Sequence, residues 1–297
     1  MHEPIPNIMH AAKVITRMRI EAFELQMKVI QRIDEYNFYS EYTPQLISTN
    51  ELSQIYELKN HIKPGAKVLT VSASGEQPLF CKLYGAGDVI TFDISYNAYL
   101  LTSVKVAALR AFQQPDEYSL FMHNLMRHCA PGDLINTPKL NYIMPYLTYI
   151  QKHYIIATDD NGIPVFLPDK KCDFYEFERD QYDALRKSIR TPFPFIWTNI
   201  MDLDKHLGND SFDIVYYSNI LEFLKPDATR FVLENTKKHI NPNGKLFTLS
   251  SKAHLSKITN AINDAFNNQT DWDIDFVRPK TATDFYQIII QRKQNTK

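Results

Sequence analysis

The chain has 297 residues, with 33 Lys and Arg against 34 Asp and Glu, which gives a formal charge of −1. At 44% apolar and 23% charged residues it has the make-up of a soluble globular protein, which excludes a largely disordered chain, a collagen-like repeat and a supercharged tail. A near-neutral balance gives no electrostatic footprint for bulk nucleic-acid binding, which draws on a basic surface to release counterions.

The N-terminus, Met1-His2-Glu3-Pro4-Ile5-Pro6, leads into no long apolar run and does not read as a secretory signal. Nowhere are there about 18 consecutive apolar residues, the length a bilayer span requires. The scattered Cys81, Cys129 and Cys172 fit a reducing compartment better than a disulfide framework, so the expected location is the cytoplasm. Residues Ile8 to Ile33 read as an amphipathic helix: Ile8, Ala11, Ile15, Met18, Ala22, Leu25 and Val29 recur at helical spacing, and Lys13, Arg17, Arg19, Lys28 and Arg32 form a basic face. Packing on the body of the protein is the first reading of that stripe. A homodimer seam and peripheral contact with an anionic membrane are the others. A second helix over Ser48 to Ile62 completes an N-terminal helical segment, 1–63.

Pro64-Gly65 breaks the chain, and the period changes. Lys67 to Ser72 is a continuous β-prone run, as a strand buried on both faces requires. Ser74-Gly75 turns into a helix over Gln77 to Tyr84, followed by a strand at Val89 to Asp93 and a helix over Ala98 to Phe112. The alternation resumes with strands at Phe195–Trp197, Phe212–Tyr217 and Lys245–Leu249. Helices are expected at Asp227–His239, closed by Asn241-Pro242-Asn243-Gly244, and at Ala253–Phe266. Trp272–Val277 and Phe285–Gln291 are two strands with only a turn between them. The fold class is therefore α/β: a doubly wound, mostly parallel, Rossmann-like sheet of seven strands with an antiparallel finish. That ending resembles the class I S-adenosylmethionine-dependent transferases. The wound domain spans 64–112 and 195–297, and 113–194 reads as an inserted helical subdomain serving as acceptor site or lid, with Asp159-Asp160-Asn161-Gly162 as a turn inside it.

In an open parallel sheet, ligands bind beyond the carboxyl ends of the strands. The loop after the first strand, Ser72-Ala73-Ser74-Gly75, is built of small residues that let a ligand approach the backbone. Asp93 ends the second strand about 18 residues further on, where a carboxylate can accept both hydroxyls of a ribose. No G-x-G-x-x-G and no G-x-x-x-x-G-K-[ST] occurs, so neither a pyrophosphate nor a triphosphate cradle is present. A nucleoside without phosphates fits, and S-adenosylmethionine is such a co-substrate. Ile94 and Met201 would wall its adenine, Asp202 or the amide of Leu203 would bond the adenine edge, and Ser218-Asn219-Ile220-Leu221-Glu222-Phe223, after the fourth strand, would lie over the sulfonium. His123, His128 and Cys129 fall in an amphipathic stretch and are read as surface or core groups, so no metal is expected.

Val68-Leu69-Thr70-Val71-Ser72-Ala73-Ser74-Gly75 resembles the first motif of the S-adenosylmethionine:diacylglycerol 3-amino-3-carboxypropyl transferases of betaine-lipid synthesis. The similarity continues through Asp93-Ile94-Ser95, Leu100-Leu101, Val104-Lys105-Val106-Ala107 and Pro115 to Phe121. The resemblance implies transfer of the aminocarboxypropyl arm to a nucleophile on a small-molecule, lipid or peptide acceptor, with methylthioadenosine released. The segment Tyr216 to Phe223 lacks the Asp/His pair of the lipid enzymes, so the resemblance implies the cofactor and not diacylglycerol itself. A methyltransferase of the same fold, releasing S-adenosylhomocysteine, is the alternative reading, and a non-catalytic cofactor-binding module the second. A protic acceptor requires a base, for which Tyr217, Glu222, Tyr39 and Tyr42 are candidates by expected position.

Overall fold

Runs rich in Val, Ile, Phe and Tyr build the centre of the molecule, because β-branched and aromatic side chains pack well on a pleated surface. The computed structural model describes residues 55, 57–94, 96–119, 122, 157–158, 164–165, 177–189, 192–266, 271–278 and 285–293. The helix expected over Ile8–Ile33, most of Ser48–Ile62, Tyr39, Tyr42, His123, His128, Cys129 and most of the 113–194 segment lie outside the described residues. In chain order the main elements are β1 (Lys67–Val71), α1 (Glu76–Leu83), β2 (Asp88–Asp93), α2 (Tyr96–Ala111), α3 (Arg179–Ser188), β3 (Phe195–Trp197) and α4 (Leu203–Leu207). They continue with β4 (Phe212–Tyr216), α5 (Pro226–Thr236), β5 (Ile240–Ser251), α6 (Leu255–Phe266), β6 (Trp272–Val277) and β7 (Phe285–Arg292).

The strands form one 7-stranded sheet in the order β3-β2-β1-β4-β5-β7-β6. β1 pairs in parallel with β2 (Val68 opposite Val89) and with β4 (Val68 opposite Ile214), and β3 and β5 extend the parallel set on either side. β7 is antiparallel to both β5 and β6, so it alone runs against the rest. This is the doubly wound sheet with an antiparallel finish that the alternation predicted. Within the long connection, Ala157–Thr158 pairs antiparallel with Pro164–Val165, on either side of the expected Asp159–Gly162 turn.

Side chains alternate between two cores, one on each face of the sheet. Val68, Val89, Tyr216, Phe247, Leu249 and Ile289 face one, which also takes Tyr118 and Tyr182 from the ends of the long connection. Leu69, Val71, Phe92, Val215, Leu246 and Ile288 face the other. Observed bounds fall within a few residues of the expected ones, with one informative difference. β5 begins at Ile240, taking in the Asn241–Gly244 segment expected as a turn. Ile240 pairs with Phe212, and a register shift between Phe212 and Ile214 absorbs the extra residues. Asn241 ties the irregularity down, accepting from Ser211 Oγ (2.6 Å) and donating to Asp213 Oδ1 (2.8 Å). Gly244 is required there, since a Cβ would stand 2.6 Å from the Phe212 carbonyl oxygen. Among the described residues no helix is long and apolar enough to cross a membrane.

Candidate functional site

The winding reverses between β1 and β4: from β1 the chain proceeds outward to β2 and β3, then returns to β4 on the other side. A crevice opens at such a switch point, beyond the carboxyl ends of the strands. Two residues mark it. Among the described residues, the non-glycine positions with left-handed backbone are Ala73 (φ 43°), after β1, and Ser218 (φ 54°), after β4. Such conformations cost on the order of 1–3 kcal/mol each and persist where surrounding bonds hold them. Here the Ala73 N–H donates to Asp93 Oδ2 at 2.9 Å. The Ser218 carbonyl accepts from the Leu249 N–H (2.7 Å) and Thr248 Oγ1 (3.0 Å).

The cleft at this point encloses about 650 Å³, counting its open mouth. Its inner surface is apolar, made by Val71, Phe92, Ile200 and Ile220. Polar groups enter at Asp93, Thr198, Asn199 and Asn219, while Ile94 and Phe223 complete the walls. Asp93 is only 3% exposed. Its neighbourhood is fixed by β2–β3 contacts: the Thr198 N–H donates to the Asp93 carbonyl (3.1 Å), and Trp197 Nε1 donates to the Ile94 carbonyl (2.8 Å). Asn199 Oδ1 accepts from the Met201 N–H at 3.0 Å, making the Asx turn that leads towards α4.

The loop after β1 is organised differently. Ser72 Oγ bonds Thr102 Oγ1 of α2 at 2.9 Å. Lys105 Nζ, also on α2, donates to the Ser74 carbonyl at 2.5 Å and forms a fully buried ion pair with Glu76, whose second oxygen accepts from Ser74 Oγ. Gly75 (φ 96°) packs so closely that a Cβ would meet Thr102 Oγ1 at 3.0 Å and Thr102 Cα at 3.1 Å. The small residues Ser72, Ser74 and Gly75 therefore admit helix α2. Their side chains are not part of the cleft lining.

Of the residues expected to hold the cofactor, the structure brings Asp93, Ile94 and Asn219 together in the cleft, with Ala73 bonded to Asp93. Met201 is half-buried against the second core, Leu203 is buried in it, and Asp202 precedes α4 with its carboxylate 2.5 Å from Lys205 Nζ. Ser218 supplies its strained backbone and is not a lining side chain. The lining residues Val71, Phe92, Thr198, Asn199 and Ile200 were not among the expected ones, whereas Ile220 and Phe223 fall in the segment expected over the sulfonium. Strand-end position was a usable signal for Val71 and Phe92. Which residues of the Thr198–Leu203 turn face the cleft depends on the Asx turn.

Of the candidates for a base, Tyr217 and Glu222 lie among the described residues, both after β4. Tyr217 is buried in the core, edge-on to Phe92 with ring centroids 5.7 Å apart, and its hydroxyl bonds Thr236 Oγ1 at 2.7 Å. Burial pushes its phenol pKa far above the ordinary range. A hydroxyl so enclosed belongs to the core and not to the cleft lining. Glu222 lies in the 3₁₀ turn Ile220–Phe223, and its carboxylate accepts from the Ser251 N–H at the end of β5. Among the described residues no cluster of His, Cys, Asp and Glu could hold a metal ion.

No protein-family model and no curated protein sequence matches the chain. Solved structures similar to it include a ribosomal protein L11 methylase from Lactobacillus delbrueckii subsp. bulgaricus, at 13% identity and TM-score 0.43, covering 83% of this chain and 81% of that one. An rRNA methylase from Streptococcus thermophilus matches at 9% identity and TM-score 0.43 over 84% of this chain and 99% of its own. The N-methyltransferase NodS from Bradyrhizobium japonicum WM9, in complex with S-adenosyl-L-homocysteine, matches at 9% identity and TM-score 0.42 over 82% and 85%. Likeness of this extent carries no argument about the activity of this chain, which rests on the site itself.

Proposed function

We propose that the chain is an S-adenosylmethionine-dependent methyltransferase with the cofactor in the switch-point cleft. The observation that carries the reading is Asp93: a nearly buried carboxylate at the end of β2, on the wall of an otherwise apolar cleft. A carboxylate there suits a ribose diol, and Val71, Phe92, Ile200 and Ile220 suit a flat base and a desolvated sulfonium. A phosphorylated ligand fits less well. In the β1–α1 loop the Ala73 N–H is committed to Asp93 and the Gly75 N–H to the Ser72 carbonyl (2.8 Å), so these amides are not offered to a pyrophosphate. The first residue of α1 is the acid Glu76, neutralised internally by Lys105.

When bound, S-adenosylmethionine supplies an electrophilic carbon on a sulfonium leaving group. The task of this chain is then alignment and exclusion of water. Asp93 fixes the sugar, the apolar walls strip the cation's surroundings, and the Asn219–Phe223 turn closes the side towards β5. Asp93, Ile94 and Asn219 are the side chains proposed to touch the cofactor, and the 113–194 insertion is proposed to contribute to acceptor selection. The aminocarboxypropyl reading rests on the resemblance over Lys67–Phe121 alone.

Titration calorimetry tests the cofactor: S-adenosylmethionine gives heat with the parent chain, whereas NAD and ATP do not. Heat from the phosphorylated ligands alone overturns the reading. The nucleoside product then identifies the transferred group. S-adenosylhomocysteine reports methyl transfer, methylthioadenosine reports aminocarboxypropyl transfer, and binding with neither product leaves the non-catalytic module.

A further inference from the structure

The sheet ends in two strands that are finished differently. β3 has three residues, Phe195–Trp197, with Pro192 and Pro194 just before it. A short strand entered through proline offers little to a further strand. β6, Trp272–Val277, is twice as long and holds no Pro or Lys. It pairs with β7 in unbroken register, from Trp272 opposite Arg292 to Val277 opposite Gln287. Among the described residues no strand pairs with its other side. The N–H and C=O groups that point away from β7 are a ready template for strand addition.

The two faces of this edge differ. Trp272 and Ile274 pack on the second core, and alternation puts Phe276 on the same face. Arg292 stands over the Trp272 ring at 5.3 Å and closes that end, while Phe276 is 44% exposed at the other. The opposite face carries Asp273, Asp275 and Val277, of which Val277 packs on the first core. Asp275 is exposed and Asp273 half-buried, and neither forms an ion pair among the described residues. The charge of Asp275 reaches Lys245 of β5, with no salt bridge between them. Carboxylates and apolar side chains thus alternate along a strand whose backbone is open on one side.

That pattern selects among partners. Residues directly opposite each other in a ladder share a face, so a second copy pairing antiparallel about a two-fold axis has two registers that use most of the strand. One sets Asp273 against Asp275, and the other sets Asp275 against its own copy. Like charges directly opposite each other destabilise the pairing. A strand with Lys or Arg at every second position meets both faces instead: its cations lie across from Asp273 and Asp275, its apolar residues across from Ile274 and Phe276. We propose that β6 is a docking edge for an extended segment of another protein in which basic and apolar residues alternate. β5 and β7 separate this edge from β4 and the cleft, so the proposal is independent of what the cleft holds.

Synthetic peptides and the full chain test it. A dye-labelled peptide alternating Lys and Val is titrated by fluorescence anisotropy, beside a Glu–Val peptide and a Lys–Val peptide N-methylated along its pairing edge. Only the unmethylated Lys–Val peptide is expected to bind the parent. Its affinity should fall by about tenfold or more in a chain carrying both Asp273→Lys and Asp275→Lys. The same variant should gain affinity for the Glu–Val peptide, a reversal that a misfolded chain does not produce. Absence of Lys–Val binding to the parent overturns the proposal. Equal binding of the N-methylated peptide does so too, because the attraction then needs no strand pairing. Unchanged affinity in the double variant takes the two aspartates out of the account and overturns it likewise. Sedimentation supplies the remaining outcome: a concentration-dependent dimer abolished by Phe276→Lys would make a second copy the occupant and overturn the basic partner.

Discussion

The loops that leave β1 and β4 stand side by side at the same end of the sheet, each with one left-handed non-glycine residue, yet they do opposite things. The β1 loop turns its polar side chains inward. Ser72, Ser74 and Glu76 are consumed by Thr102 and Lys105, and Gly75 sits against the backbone of α2. The β4 loop turns outward, with Asn219, Ile220 and Phe223 lining the cleft and Phe223 48% exposed. One loop is a structural joint and the other lines the cleft. Small and polar residue types alone do not distinguish them, because close helix packing and close ligand approach select the same residues.

The contrast can be broken by mutation. Lys105→Met should have the largest effect: it strands the Glu76 carboxylate in a site of 0% side-chain exposure, at a cost of about 3–5 kcal/mol in urea unfolding. Lys105→Met combined with Glu76→Gln should recover most of that loss. Gly75→Ala should follow, at about 1–3 kcal/mol, because the left-handed backbone is strained for alanine and the new methyl meets Thr102. If either variant unfolds at the parental midpoint, the β1 loop does not act as a structural joint.

On the binding side, Asp93→Ala should weaken S-adenosylmethionine by about 10- to 100-fold in calorimetry, as expected for the loss of hydrogen bonds to a charged group. Phe223→Ala should leave unfolding within about 0.5 kcal/mol of the parent, as for exposed positions generally, while altering acceptor or cofactor affinity.

The smallest expected effect lies away from both loops. Hydrogen bonds from Lys238 and His239 hold the Asp204 carboxyl below its ordinary value of 3.8, and the carboxylate stays partly exposed. A depressed folded-state pKa contributes stability that is complete above the unfolded value and is lost as pH falls through the folded one. The difference in urea midpoint between parent and Asp204→Asn should therefore be present at neutral pH and shrink below about pH 4. A difference that grows on acidification would reverse the sign of this assignment.

Much of the architecture was legible because burial on both faces of a parallel sheet writes short β-prone runs of mostly apolar residues, such as Lys67–Val71 and Phe212–Tyr216. Asp93 was legible for a local reason: a lone acid closing such a run stands at the strand end where ligands bind. The start of β5 was not, because Asn241-Pro242-Asn243-Gly244 has turn chemistry, and only pairing of Ile240 with Phe212 across the bulge draws it into the strand. Tyr217 looked as available as any polar residue after a strand, but the packing of Phe92 and Thr236 encloses it.

Local periodicity and chain order are enough to set the alternation, the antiparallel ending and the carboxylate at the second strand's tip. Tertiary structure decided which way each loop faces, that Glu222 meets Ser251 across the ends of β4 and β5, and that Ser72, Ser74 and Gly75 serve helix α2. These are contacts between residues far apart in the chain, and side-chain direction at a strand end is set by what packs against it.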